Sequence, residues 1–161
     1  MRYFYENRWG GEMNWNTNWR GTDSIYGESI YTNRFEIIGI TPLGFLGKNA
    51  KLQYSYNMHL QNSAYGKTPY LATQHIGFAQ ITKNFIFKKH DLLFGSALRY
   101  TYYDDNTVIT QTEDTLNPIN KPSKTYLPGV FVQDEFKINK KHTLLAGIRY
   151  DFNTNHGHVL S

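Results

Sequence analysis

The sequence has no cysteine in its 161 residues. Disulfide staples and Cys-based metal sites are excluded. It has no apolar run of about 18 residues, so it offers no membrane-crossing helix. The opening Met1-Arg2-Tyr3-Phe4-Tyr5-Glu6 has no apolar core of the secretory kind, and no signal is expected in it. Helical periodicity is nearly absent. Blocks of one charge are absent too: the 17 basic and 13 acidic residues are scattered along the chain. No basic stripe of the nucleic-acid-binding kind forms, despite the net charge of +4.

What is present is aromatic. Tyr and Phe number 13 and 10, while hydrophobic residues total 40%, low for a packed core. These residues recur with period 2. Leu52, Tyr54, Tyr56, Met58 and Leu60 oppose Lys51, Gln53, Ser55, Asn57 and His59. That is a strand with one apolar and one wet face. Glu12–Arg20 alternates likewise, with Met13, Trp15, Thr17 and Trp19 on one side. So do Tyr31 to Ile37 and Leu144 to Phe152, with Leu145 as an exception.

One hairpin is written twice. Phe78-Ala79-Gln80 leads through Lys88-Lys89-His90 to Leu92-Leu93 and Arg99-Tyr100. Phe131-Val132-Gln133 leads through Lys140-Lys141-His142 to Leu144-Leu145 and Arg149-Tyr150. From the shared glycine (Gly95, Gly147) to the arginine, the second copy is two residues shorter. Two residues are one β period, so every side chain keeps its face.

Eight strands are predicted, near 2–8, 11–20, 29–41, 49–60, 74–87, 90–104, 125–138 and 142–153. Several reach the roughly 9–11 residues that cross a bilayer when tilted. Short connections at Trp9-Gly10, 41–48, Lys88-Lys89 and 139–141 alternate with long polar ones at 21–28, 61–73 and 105–124. In an up-and-down sheet this puts tight turns on one edge and long loops on the other, as in an outer-membrane barrel. A soluble sandwich would show shorter strands and loops of similar length at both ends. Trp15, Trp19, Tyr54, Tyr56, Tyr100, Tyr102 and Tyr150 fall on the apolar faces, where amphipathic rings suit a headgroup layer. Asp134 is a misfit there by parity, which calls for an interfacial position or a bulge.

Arg20-Gly21-Thr22-Asp23-Ser24-Ile25-Tyr26-Gly27 with the following Glu28 to Arg34, the run Arg99 to Thr107, and Gly129 to Glu135 resemble TonB-dependent outer-membrane receptors of the Bacteroidota type. Gly147 to Asp151, followed by His156-Gly157, is similar. The resemblance implies a barrel of about 22 strands plugged by a globular domain, importing a scarce ligand with energy relayed by TonB. Against that plan, residues 1–161 are expected to be a partial barrel domain without the plug, an open curved sheet of an all-β, antiparallel up-and-down transmembrane barrel.

The expected function is outer-membrane transport of an iron chelate, cobalamin or oligosaccharide. The alternative is a small outer-membrane or surface β protein with a structural or adhesion role. Expected partners are outer-membrane lipid, the plug and TonB system of the whole protein, and an extracellular ligand, with no nucleic acid. Lumen-facing candidates by parity are Arg34, Glu36, Gln80, Arg99, Gln133, Glu135 and Arg149. No catalytic set, cofactor or metal site is expected. Tyr26-Gly27-Glu28-Ser29 lacks nucleophile-elbow order. Asp104-Asp105 with Asp114 and His156-x-His158 are read as loop acids and a polar loop rather than cation sites. The Lys-Lys-His turns are read either as plain solvated turns or as contacts for anionic headgroups or periplasmic partners.

Overall fold

The computed structural model describes residues 1–114 and 116–161. Eight strands pair in sequence order. They are β1 (Arg2–Gly11), β2 (Gly27–Pro42), β3 (Ala50–Tyr65), β4 (Thr68–Phe87), β5 (His90–Asp105), β6 (Ser123–Lys137), β7 (Thr143–Asn153) and β8 (Gly157–Leu160). No α-helix occurs among the described residues. The sheet is open and antiparallel, with β1 and β8 as its edges. The doubled motif forms the hairpins β4–β5 and β6–β7.

Three expectations are corrected. Residues 11–20 do not form a strand, and Trp9-Gly10 is no turn: both residues lie inside β1. Residues 12–26 form the β1–β2 loop, with a 3-10 turn at Thr17–Trp19. Asn16 caps that turn, its Oδ1 accepting from Asn18 N at 3.0 Å. The Asn-aromatic alternation imitates a strand, but Asn side chains bond nearby backbone and favour turns. The stretch 61–73 is not a loop either. Strands β3 and β4 run on to a two-residue turn at Gly66-Lys67. Its polar residues are paired rather than solvated: Gln61 Nε2 donates to Ser63 Oγ at 2.9 Å, and Ser63 is fully buried. Finally, 157–160 adds a strand too short for periodicity to reveal.

The sheet has very little core of its own. Its buried apolar residues, among those described, are Trp15, Ala50, Ala64 and Ala97. Two compact units emerge from the contacts. Unit 1 comprises Met1–Ile37, Tyr56–Ile76 and Thr101–Lys124. It contains the loops 12–26 and 106–122 and the Gly66-Lys67 turn. Trp15 anchors its first loop. The ring stacks on Trp9 at 5.4 Å and lies where a Cβ on Gly27 would stand. Trp15 thus packs as a loop anchor, and Trp19 ends the 3-10 turn, so neither is a strand residue on an apolar face. Arg20 completes the clasp, donating to Ser29 Oγ at 2.7 Å and Asn62 Oδ1 at 2.6 Å, over the ring of Tyr31.

Unit 2 comprises Ile38–Ser55, Gly77–Tyr100 and Thr125–Ser161. It contains the connections 43–49, 88–89, 138–142 and 154–156. Gly95 is required here by close approach: a Cβ would fall about 2.1 Å from the ring of Phe131 on β6. The register of β6 on β7 is unbroken from Gly129↔Asp151 to Lys137↔Thr143. No bulge in the β6–β7 pairing therefore relieves Asp134.

Candidate functional site

Parity and contacts divide the strands into two faces. On the aromatic face of unit 1, Phe35, Tyr56, His75 and Tyr102 form a ladder across β2 to β5, with ring centroids 5.7 to 6.5 Å apart. Tyr56 OH and His75 Nδ1 are 2.8 Å apart. Sequence reading did not single out His75; only its odd position beside Ile81 and Phe85 on β4 marks it. In unit 2 the same face carries Phe85 against Phe94 edge-on, Tyr100 against Tyr126, and Tyr150 with His158. Val130, Leu144 and Ile148 on this face are each more than half exposed.

Asp134 belongs to this face and has a partner. His90 Nδ1 lies 2.6 Å from its Oδ2, and the imidazole stacks on Phe136 at 4.6 Å. A carboxylate only accepts, so Nδ1 carries the proton. The other Asp134 oxygen is buried without a partner among the described residues. Position near the short turns, together with His90, resolves the misfit that parity exposed.

The opposite face is polar in both units. In unit 1, Arg34 and Glu36 come together, Nη1 to Oε1 at 3.9 Å. Asn57 Nδ2 donates to Glu36 Oε1 at 2.9 Å, and Arg2 Nε to Oε2 at 2.9 Å. Arg34 Nη2 lies 3.4 Å from His59 Nδ1, while Arg34 Nε is buried without a partner among the described residues. In unit 2, Gln80 donates to Gln53 at 3.0 Å. This pair lines a groove of about 400 Å³ with Ile38, Ile40 and Phe78. Arg149 grips Asp151 through Nε at 2.6 Å and Nη2 at 2.8 Å, its guanidinium 5.6 Å from the Phe131 centroid. Gln133 faces Gly147 and Glu135 faces Leu145 in register. Arg99 lies on β5 in step with Ala97 and Thr101. The seven candidates are thus on one face by parity, but contact joins only Arg34 to Glu36. Arg2, Asn57, His59, Gln53 and Asp151 complete their networks. Parity had placed Asn57, His59 and Gln53, but cross-strand register alone identifies their partners.

Asp105, Asp114 and Asp23 are occupied internally. Asp105 Oδ1 accepts from Thr107 N, Thr107 Oγ1 and Thr110 Oγ1, and Oδ2 from Tyr103 OH at 2.7 Å. Asp114 Oδ1 accepts from Leu116 N and Asn117 N. Asp23 Oδ1 accepts from Lys67 N at 2.9 Å, with Lys67 Nζ 3.1 Å from Oδ2. The Lys67 side-chain bond is the main cause holding the Asp23 carboxyl below its ordinary value. His156 sits in the β7–β8 turn, while His158 is committed to Tyr150 and Phe152. No cluster of three or more potential metal ligands forms among the described residues.

A long-stranded, up-and-down sheet with one aromatic and one polar face is the wall of a β-barrel. The chain matches the TonB dependent receptor-like, beta-barrel family over residues 2–160 and belongs to that family. The family is one of outer-membrane transport. No curated protein and no solved structure matches the chain.

Proposed function

We propose that this chain is part of the wall of a TonB-dependent receptor barrel in a bacterial outer membrane. The whole protein would take up a scarce ligand such as an iron chelate, cobalamin or oligosaccharide. Its plug domain and TonB system would act on the polar face and at the ends of the wall. The tyrosine-rich stretches favour the Bacteroidota type.

The observation that carries this reading is the length of the aromatic face. On β6, Tyr126 and Phe136 bracket Val130 and Val132. Their ten-residue separation rises about 34 Å, and a strand tilt of about 40° leaves roughly 26 Å. That matches the apolar band of an outer-membrane barrel, about 25 Å tall. Exposed Val, Leu and Ile between aromatic pairs are costly in water and favourable in lipid. On the polar side, Arg34, Glu36, Gln80, Arg99, Gln133, Glu135 and Arg149 would line the solute path.

Detergent dependence tests this. Strand content by circular dichroism should persist in mild detergent, and the chain should aggregate when detergent is diluted away. A monodisperse chain with full strand content in plain buffer overturns the membrane reading and favours a surface β protein.

A further inference from the structure

The scattered charges of the sequence are sorted by the fold. Unit 1 holds seven Lys and Arg against nine Asp and Glu, a net −2. Unit 2 holds ten against four, a net +6. In unit 1, Arg2, Arg8, Arg34 and Lys67 all pair with carboxylates. In unit 2 all eight basic residues other than Arg99 and Arg149 are lysines, and none forms an ion pair among the described residues. Three of its four acids are engaged elsewhere: Asp134 with His90, Asp151 with Arg149, and Asp91 with Asn84.

Lys48, Lys88, Lys89, Lys140 and Lys141 lie on the connections, and Lys83 and Lys137 lie near them on β4 and β6. Lys89 Nζ donates to Ile138 O at 3.0 Å, and Lys137 N to Lys89 O at 2.8 Å. Lys83 Nζ donates to Leu46 O at 2.6 Å, and Asn84 N to Asn49 O at 3.4 Å. The connections 88–89 and 138–142 are therefore joined directly, and 43–49 is joined to β4 at Lys83 and Asn84; together they make a cationic rim. Two of its ammonium groups sit over apolar rings. Lys83 Nζ is 4.6 Å from the Phe85 centroid, and Lys88 Nζ is 5.1 Å from that of Phe87. Phe85 and Phe87 are exposed.

We propose that this rim binds anionic phospholipid headgroups, phosphatidylglycerol being the model ligand. The proposal rests on the membrane reading above. Charge complementarity selects an anion, and the rings beneath the ammonium groups select one carrying acyl chains. A free anion would leave Phe85 and Phe87 in water. A phospholipid covers the rings with its chain while its phosphate meets Lys83, Lys88, Lys89, Lys140 and Lys141.

The test is native mass spectrometry of the folded chain in neutral detergent. Phosphatidylglycerol and phosphatidylcholine with the same acyl chains are supplied together. The anionic lipid should be retained at least ~10-fold over the zwitterionic one. K88Q/K89Q/K140Q/K141Q should abolish the preference, and the four Lys→Arg changes should keep it. Lys67→Gln in unit 1 should leave it unaltered. Should the Gln variant lose strand content, about 1 M salt on the unaltered chain substitutes for it and should collapse the preference. Equal retention of the two lipids overturns the proposal. So does a preference that survives both the Gln changes and salt, or displacement of the lipid by glycerol phosphate at equal concentration. A chain that stays dispersed and folded without detergent overturns the membrane reading itself, and this lipid site with it.

Discussion

Unit 1 and unit 2 share strands β2 to β6 but differ in how they use charge. Unit 1 spends its cations internally. Arg20 clasps the first loop, Lys67 ties Asp23 to a hairpin tip, and Arg2 and Arg34 converge on Glu36. Unit 2 leaves its lysines without carboxylate partners among the described residues, and Lys88, Lys89, Lys140 and Lys141 sit on short turns. A long loop needs side-chain pairs to order it, because its closure and side-chain entropy must be offset. The two-residue turn Lys88-Lys89 needs no such pair, whereas Lys67, on an equally short turn, pairs with Asp23 of the long 12–26 loop. Loop length thus decides which charges are structural.

Three substitutions or conditions can break or sharpen that comparison. Trp15→Ala has the largest expected effect. It empties the buried anchor of the 12–26 loop and should cost about 3 kcal/mol, read from the urea midpoint in detergent. If unit 1 is held instead by its ion pairs, the midpoint will not move. His90→Ala comes next. It strands Asp134 on the aromatic face and should cost about 1–2 kcal/mol. Adding Asp134→Val should restore or exceed the original stability. A double variant no better than the single one would show that the pair is not an isolated unit.

The smallest effect belongs to Asp23 with Lys67. Because the folded carboxyl titrates below its ordinary value, its contribution is complete above about pH 4. It fades as acid carries the solution through the folded value. Exchange of the Lys67 amide should quicken relative to other hairpin amides only in that acid window. Asp23→Asn should remove the dependence. No corresponding change is expected at the Lys88-Lys89 turn, which has no such pair among the described residues.

Much of the wall was legible beforehand. The hairpins β4–β5 and β6–β7 followed from a parity-preserving deletion between Gly147 and Arg149. The face of each candidate from Arg34 to Arg149 followed from odd and even positions. Glu12–Arg20 misled because asparagine alternating with aromatics has the period of a strand and the hydrogen-bonding habit of a loop. The stretch 61–73 misled because polar residues outside the apolar band look like loop residues even when paired and buried. His90 as the partner of Asp134 was invisible, being 44 positions away.

The sequence by itself determined that this protein is a β-sheet with an aromatic and a polar face, because side-chain alternation is local and needs no partner strand. Only the tertiary structure decided which charges are cancelled and which are left over. Ion pairing depends on a few ångströms between strands, and register brings residues that are scattered along the chain onto one rim.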